Sequence, residues 1–481
     1  MVRGRGFSMG RTVGVAVVGL AAMAGLMLWL ALALSENRAL DAREGLLFGT
    51  WRVLYDTYAP PAAVIVAAFA VALAFVAIAT GVETTVVNRY RRATDEVGTP
   101  LAPQIVMAGT RGGFHGPVTI TVLIPAHSEE DRIAATLTSL QTQSDPPERI
   151  IVVADNCTDA TPELARAAGV EVFETKDNVH KKGGALNQAL AELLPELGEN
   201  DCVMVMDADT VLDQGYLTAA RRRFTDDRAL MAVGGLFYGE DGAGLLGQFQ
   251  RNEYTRYSRD IRRRRGRVFV LTGTASVFGS RALRTVAASR GTRIPGRAGD
   301  VYDTAALTED NELTLALKSL GGLMVSPQEC TVVTEVMPTW KALWHQRLRW
   351  QRGALENLAA YGITPQTTRY WFQQLGIGYG AIALSSYLLL ILITALALDQ
   401  WVWYPFWGAL GLLFMLERLV GVWRADLRAK LVAITLVPEL IYATFLNVVF
   451  LKGVVDILLA RQASWGHVVR DADGATRVAG T

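Results

Sequence analysis

Asp207-Ala208-Asp209 closes an apolar run, Val203 to Met206, that reads as a strand. Two carboxylates on so tight a turn can hold one hard divalent cation through oxygen ligands. A Mg²⁺ or Mn²⁺ ion there would bridge a diphosphate and stabilise its charge as it departs. Most isolated D-x-D pairs are solvated turns, so the companions of this one matter. Thr308-Glu309-Asp310 precedes Asn311-Glu312-Leu313 and a helix with Leu313, Ala316, Leu317 and Leu320 on one face, ended by Gly321-Gly322. A carboxylate at a helix start is stabilised as the anion by the helix dipole, which suits a general base taking a proton from a hydroxyl. A capping cluster is the plain alternative. In Gln346-Arg347-Leu348-Arg349-Trp350, Arg349 could clamp a diphosphate with its planar fork of donors, and Trp350 could stack on a sugar ring. An interfacial helix is the competing reading, since Trp340, Trp344 and Trp371 lie nearby.

Lys181-Lys182-Gly183-Gly184-Ala185-Leu186-Asn187 opens another helix. Its glycines allow close backbone approach and Lys182 can reach phosphate, although a plain basic turn has the same composition. The dense arginines at 256, 259 and 262–265 read as a surface facing solvent or lipid headgroups. His127 and His180 are isolated and receive no role.

These residues need a scaffold, and the central sequence supplies the pattern of one. Val118–Ile124, Ile150–Ala154, Val170–Phe173 and Val203–Met206 are short strands. Helices fall between them, through Ile133, Leu137 and Leu140, after a Thr161 cap with Pro162 at the first helical position, and over Ala185–Leu194. Strand, helix, strand at this spacing predicts a mainly parallel sheet covered by helices. Ligands of such sheets gather at the carboxyl ends of the strands, where Asp155, Asp207 and Asp209 stand. A dinucleotide-binding domain would need G-x-G-x-x-G after the first strand; Pro125-Ala126-His127-Ser128-Glu129 occupies that turn instead.

The chain has 481 residues, is 51% apolar and carries a net charge of +1, so it has no basic footprint for nucleic acid. Its apolar residues concentrate near the ends. Val13–Leu34 and Ala62–Val82 are each long enough to cross a bilayer, as are Leu375–Leu398, Val402–Val422 and Leu431–Leu451. A cleaved signal peptide is the alternative for the first, but its apolar stretch exceeds the usual signal core. Arg3, Arg5 and Arg11 before the first run, with Arg89, Arg91 and Arg92 after the second, put the central domain in the cytoplasm. Glu417 and Arg418 interrupt the fourth run; Pro438 and Glu439 lie inside the fifth, where Glu439 is expected to pair within a bundle. Lys452 and Asp456, one turn apart, suggest that the last helix ends at the interface. Cys157, Cys202 and Cys330 form neither a zinc site nor a disulfide framework, which fits a reducing compartment. The expected division is a membrane region over 1–92, a catalytic domain over 93–338, interface helices over 339–372, further membrane helices over 373–460 and a tail over 461–481.

The order of the motifs is more specific than any one of them. Ile124 to Glu129, Ala154-Asp155-Asn156-Cys157-Thr158-Asp159, Lys182 to Asn187, Asp207-Ala208-Asp209, Gly273-Thr274-Ala275-Ser276-Val277-Phe278, Thr308-Glu309-Asp310 and Gln346 to Trp350 follow one another. From about residue 118 to 352 the chain resembles the family-2 inverting glycosyltransferases. Within them it resembles the membrane-bound processive branch of cellulose, chitin, hyaluronan and poly-N-acetylglucosamine synthases. The resemblance implies an α/β GT-A (Rossmann-like) cytoplasmic catalytic domain inserted between transmembrane α-helices, a UDP-sugar donor and Mg²⁺ or Mn²⁺. It implies that Pro125, Glu129, Asp155, Lys182 and Asp207 lie along the nucleotide-sugar, with Asp155 on the uracil. Asp209, with Asp207, would bind the metal. Gly273 and Thr274 would line the acceptor site, Asp310 would be the base with Glu309 beside it, and Gln346, Arg349 and Trp350 would hold diphosphate and acceptor. The partners implied are a polysaccharide or lipid-linked acceptor, membrane lipids and a small membrane accessory subunit.

The chain departs from parts of that branch. The gating segment and cyclic-dinucleotide domain that follow the membrane helices of cellulose synthases have no counterpart after Leu459. Hyaluronan synthases usually carry a different residue at the position of Thr308. The T-E-D form is nearest to poly-N-acetylglucosamine synthases. Two rival functions remain at this level: transfer of a single sugar to a lipid acceptor, and a non-catalytic nucleotide-sugar-binding regulator, against which the intact Asp155, Asp207, Asp209 and Asp310 speak.

Overall fold

The computed structural model describes residues 42–47, 51–56, 116–227, 230–263, 266–397, 405–461, 466–470 and 476–480. The apolar runs 13–34 and 62–82, and the arginines flanking them, lie outside the described residues, as do Arg264 and Arg265. The chain forms two compact units, Met1–Val86 with Tyr370–Gln462, and Val87–Arg369 with Ala463–Thr481.

The second unit contains the motifs. It alternates β1 (Thr119–Ala126), α1 (Ile133–Gln141), β2 (Arg149–Ala154), α2 (Thr161–Ala167), β3 (Glu171–Glu174), α3 (Lys181–Leu193) and β4 (Asp201–Met206). There follow β5 (Val211–Leu212), α4 (Tyr216–Asp226), β6 (Leu230–Gly234), β7 (Leu236–Gly239), α5 (Gly244–Arg263), β8 (Ala275–Gly279) and α6 (Ser280–Ser289). The last elements are α7 (Glu309–Ser319), β9 (Leu323–Val325), β10 (Thr331–Thr334) and α8 (Trp340–Tyr361). The main sheet has the order β9-β6-β8-β4-β1-β2-β3. All neighbouring pairs are parallel except those of β8, which runs antiparallel to both β4 and β6. The sheet is therefore mainly parallel, as expected, and mixed through one antiparallel strand. A small sheet, β5-β10-β7, flanks it just beyond the D-x-D turn.

Both faces of the main sheet are covered, which is why its central strands are largely apolar. Leu123, Val153, Val203 and Val205 point to one face and pack with Leu186, Leu190, Leu283, Leu313 and Leu317 of α3, α6 and α7. Val122, Ile124, Met204 and Met206 point to the other and pack with Ile133, Leu137, Leu217 and Phe224 of α1 and α4. Cys202 and Cys330 belong to this second layer as core residues.

Local details differ from the sequence reading. Helix α2 starts at Thr161 rather than after it, with Ala160 as cap. The Thr161 hydroxyl instead donates to Asp159 Oδ1 at 2.6 Å and accepts from Glu129 N at 2.7 Å, tying the turn after β1 to α2. Helix α3 does open at Lys181, as the K-K-G-G run indicates, one turn ahead of the apolar stretch that begins at Ala185.

Among the described residues, the other unit has the helices α9 (Thr368–Ala397), α10 (Pro405–Gly421), α11 (Leu427–Thr435) and α12 (Val437–Leu458). The apolar run 431–451 is not one helix. Leu436, at φ 55°, breaks it, and Pro438 sits in the first turn of the helix that follows. A proline tolerates only a helix start, where its missing N–H has no partner to lose. Among the described residues one helix, Val437–Leu458, is long and apolar enough to cross a membrane. Glu439 is buried there, 3.9 Å from Arg418 Nη1, so it pairs within the bundle. Lys452 and Asp456 form an ion pair within α12, which continues past them to Leu458.

Candidate active site

The D-x-D turn is held by two tethers to its backbone and one bond to a side chain. Asp207 N donates to Thr274 O at 3.2 Å, Thr136 Oγ1 donates to Ala208 O at 2.6 Å, and Thr210 Oγ1 donates to Asp209 Oδ1 at 3.1 Å. The antiparallel strand β8 thus brings Gly273-Thr274 beside Asp207, a juxtaposition that parallel strands alone would not give. Lys182, in the first turn of α3, reaches across the end of the sheet. Its Nζ lies 2.6 Å from Asp207 Oδ1 and 3.1 Å from Glu309 Oε1. Burial opposes the lysine's charge, but Asp207 and Glu309 outweigh it and hold its pKa well above the usual lysine value.

Glu309 and Asp310 form the first turn of α7. Asp310 Oδ2 accepts from Gly273 N at 3.1 Å and Oδ1 from Asn311 N at 2.7 Å. Gly273 has no room to spare. A Cβ there would lie 3.0 Å from Lys182 Nζ, 3.5 Å from Asp207 Oδ2 and 3.6 Å from Asp310 Oδ2. The two neighbouring carboxylates are driven apart. Burial, then Glu309, pushes Asp310 up to about 6, against Lys182. Burial also opposes ionisation of Glu309, but Lys182 and Arg349 overcome it and lower its pKa. Pairs of titratable groups separated in this way mark sites of proton transfer.

Helix α8 is locked to this turn. A Cβ on Gly353 would lie 2.4 Å from Thr308 Oγ1, so only glycine permits the approach. Asn357 Nδ2 donates to Thr308 O at 3.1 Å and to Asn311 Oδ1 at 3.0 Å. Of the Q-x-x-R-W residues, Arg349 faces Glu309 and Lys181 electrostatically. Gln346 Oε1 is buried with no hydrogen-bond partner among the described residues. Trp350 is 36% exposed and covered on one face by Arg347, whose Cζ is 4.3 Å from the ring centroid. Arg347 is itself buried and bonded to Glu253 at 3.0 Å, a role the motif did not single out.

The remaining sequence candidates lie at the ends of β1 and β2. Pro125 pairs in register with Val153. Asp155 is buried, and its Oδ1 accepts from Asn178 Nδ2 and Thr175 Oγ1, both at 2.8 Å, and from Asn156 Nδ2 at 3.2 Å. Glu129 is pushed up to about 8 by burial, then by Asp209, Glu335 and Asp207. Asp209 is pushed up to about 7 by burial, then by Asp207 and Glu335. Glu335 follows β10, and Arg132 bridges it to Glu240 at 3.3 and 2.8 Å. Neither Arg132 nor Glu335 carries a sequence motif. Asn187, the last residue of K-G-G-A-L-N, does, yet its side chain binds the backbone of Val301 and Tyr302 rather than a ligand.

A mixed α/β sheet covered by helices on both faces, with an acidic turn at the end of β4, is a GT-A-like glycosyltransferase fold. Residues 117–353 match the family described as "Glycosyltransferase like family 2", and the chain carries a family-2 glycosyltransferase domain. Among curated relatives, a poly-beta-1,6-N-acetyl-D-glucosamine synthase of Staphylococcus aureus (strain MSSA476) is 27% identical over 259 residues, 52% of this chain and 58% of that one. The enzyme of the same name from Staphylococcus epidermidis is 25% identical over 299 residues, 58% of this chain and 66% of that one. The match thus spans less than two thirds of either relative. Among solved structures, a mannosyltransferase from Pyrobaculum calidifontis in complex with GDP-Man and Mn²⁺ is 18% identical, with a TM-score of 0.47, covering 82% of this chain and 99% of that chain.

Proposed function

We propose that this glycosyltransferase is an inverting, membrane-embedded polysaccharide synthase that draws on a UDP-sugar in the cytoplasm. The observation that carries the chemistry is the convergence of Lys182, Gly273, Glu309 and Asp310 at one pocket, with Asp207 paired to Lys182 and Asp310 pushed up to about 6. Asp310 would accept the proton of an acceptor hydroxyl. That oxygen would form its bond to the anomeric carbon as the bond from that carbon to the diphosphate oxygen breaks, inverting the configuration without a covalent enzyme intermediate. Lys182 and Arg349 would bind the departing diphosphate, with Gln346 as a further polar contact. Trp350, Gly273 and Thr274 would line the acceptor. Asp155 has Oδ1 occupied, and Oδ2 would accept from the uracil; Pro125 and Glu129 would border the same nucleotide.

The donor set at the D-x-D turn fits a divalent cation. Asp209 and Glu129 both stand far above ordinary carboxylates, first because they are buried and then because negative charge has collected around them. Among the described residues no three metal-ligating side chains form a closed cluster. Mg²⁺ or Mn²⁺ would be held by Asp209 and Asp207 with water and diphosphate oxygens completing the shell, as is usual for Mg²⁺ at phosphates. The cation would supply charge neutralisation for the leaving group.

Membrane embedding is supported by Val437–Leu458 and by the exposed apolar side chains Ile441, Val448, Leu451, Val455 and Leu458 along one face of it. A patch of that kind is normally covered. With the two N-terminal apolar runs, this supports a cytoplasmic catalytic domain between membrane helices; the names of the curated relatives support a polymer of N-acetylglucosamine, which such helices would thread outward. Protein purified in detergent, given Mg²⁺ or Mn²⁺ and a panel of UDP-sugars, should release UDP from one donor and extend a product that forms a ladder on a gel. Metal-dependent release with only a single added sugar would replace the polymerase reading by transfer to a lipid acceptor. No turnover of any nucleotide-sugar by the wild type would overturn the donor assignment.

A further inference from the structure

The step from Val301 to Tyr302 is held with unusual completeness for a connecting segment. Asn187 Oδ1 accepts from Val301 N at 3.1 Å and Tyr302 N at 2.8 Å, and Asn187 Nδ2 donates to Tyr302 O at 2.9 Å. Arg290 Nη2 donates to Val301 O at 2.6 Å. Every backbone polar group of the step is satisfied, so the Tyr302 side chain leaves a fixed base. That side chain is only 3% exposed and packs with the layer of α3, α6 and α7. Its hydroxyl nevertheless makes no hydrogen bond among the described residues. It borders the pocket lined by Lys182, Thr272, Gly273, Glu309 and Asp310.

The phenol oxygen is not fully sealed from solvent, and a rigidly mounted donor without a protein partner beside reactive carboxylates is the arrangement expected of a ligand contact. Burial, reinforced by Glu309 and Asp310, keeps the phenol protonated. It can therefore donate to an oxygen that carries no proton to spare. It shares that pocket with Lys182, on the diphosphate side of the proposed site, and with Asp310, on the acceptor side, so it borders the place where the transferred sugar would lie.

We propose that Tyr302 binds the transferred sugar of the donor, its hydroxyl donating to an oxygen of that sugar, and so takes part in choosing the donor. This rests on the glycosyltransferase reading above. It distinguishes Tyr302 from Lys182 and Asp155, which would recognise the nucleotide common to every donor.

The test is Tyr302→Phe in the full chain, with UDP and UDP-N-acetylglucosamine as probes in Mn²⁺. UDP should raise the thermal midpoint of variant and wild type equally. The further rise given by the sugar nucleotide should shrink in the variant, and its kcat/KM for the donor should fall about tenfold, the scale of one lost hydrogen bond in a buried site. The preference between UDP-N-acetylglucosamine and UDP-glucose should change as well. Equal protection by the sugar nucleotide in both proteins, or an unchanged kcat/KM and donor preference, would overturn the inference. So would a fall in UDP protection equal to the fall in sugar-nucleotide protection, since that would make Tyr302 structural or a nucleotide contact. If the wild type gains nothing from either probe and turns over no donor, the UDP-sugar reading itself has failed; a wild type that works beside an indifferent variant removes only the role of Tyr302.

Discussion

Lys182 Nζ stands 2.6 Å from Asp207 Oδ1, and through this one contact the first turn of α3 is tied to the end of β4. The same nitrogen reaches Glu309 on α7, so a single cation joins three segments far apart in sequence. Lys182→Met should remove donor turnover and also weaken the fold. Glu309 is held below its ordinary range by Lys182, so the stabilisation it contributes is present above the unfolded glutamate pKa and lost as pH falls through the lower folded value. The gap in stability between variant and wild type should thus be widest at neutral pH and close in acid, as read from urea midpoints across pH. A constant gap would mean that Lys182 stabilises by packing alone.

The base assignment makes a directional prediction. With Asp310 near 6, kcat/KM should rise with pH through about that value as the carboxylate ionises. Glu309 raises the Asp310 pKa, so Glu309→Gln should move the rising limb to lower pH. Asp310→Asn should retain UDP binding and lose transfer. Turnover retained in Asp310→Asn would require another base.

Metal binding should compete with protons. Asp209 must be ionised to serve as a ligand, and it titrates near 7. The apparent Mn²⁺ affinity, measured with UDP present, should weaken steadily as pH drops from about 8 to about 6, and Asp209→Ala should abolish both the affinity and its pH dependence. A pH-independent affinity would place the cation elsewhere.

Arg290 and Glu312 form a buried, two-pronged ion pair, with Nη1–Oε1 2.5 Å and Nη2–Oε2 2.7 Å, and Tyr361 also donates to Glu312. Glu312→Gln should cost about 3–5 kcal/mol, because Arg290 would remain charged in a site closed to water. Chemical denaturation measures it. A loss under about 1 kcal/mol would mean that water reaches the guanidinium after all.

The sequence disclosed the strands that end at Asp155 and Asp207 because each is short, apolar and followed by a polar turn. The turn of Glu309 and Asp310 was legible for a similar reason, lying at the start of a clear helical face. What stayed hidden depended on contacts distant along the chain. Strand direction leaves no mark in composition, so the antiparallel β8 that carries Gly273 to Asp207 was invisible. Asn187 and Tyr302 are 115 residues apart, and Arg132 and Glu335 are 203 apart, so no local spacing could connect them. At Leu436 the apolar character runs on while the helix does not, and the proline two residues later was the sole local sign of the break.

Of the three cysteines, Cys202 and Cys330 are sealed in the core, each with its thiol pushed up to about 12 by burial. Cys157 is half-buried, two residues beyond Asp155, its Sγ donating to Ala126 O at 3.4 Å. The native protein therefore offers maleimide chemistry a single addressable thiol, at the rim of the cleft where the uracil would bind. Its labelling rate should slow when UDP is present, giving a spectroscopic handle on nucleotide occupancy without an engineered cysteine.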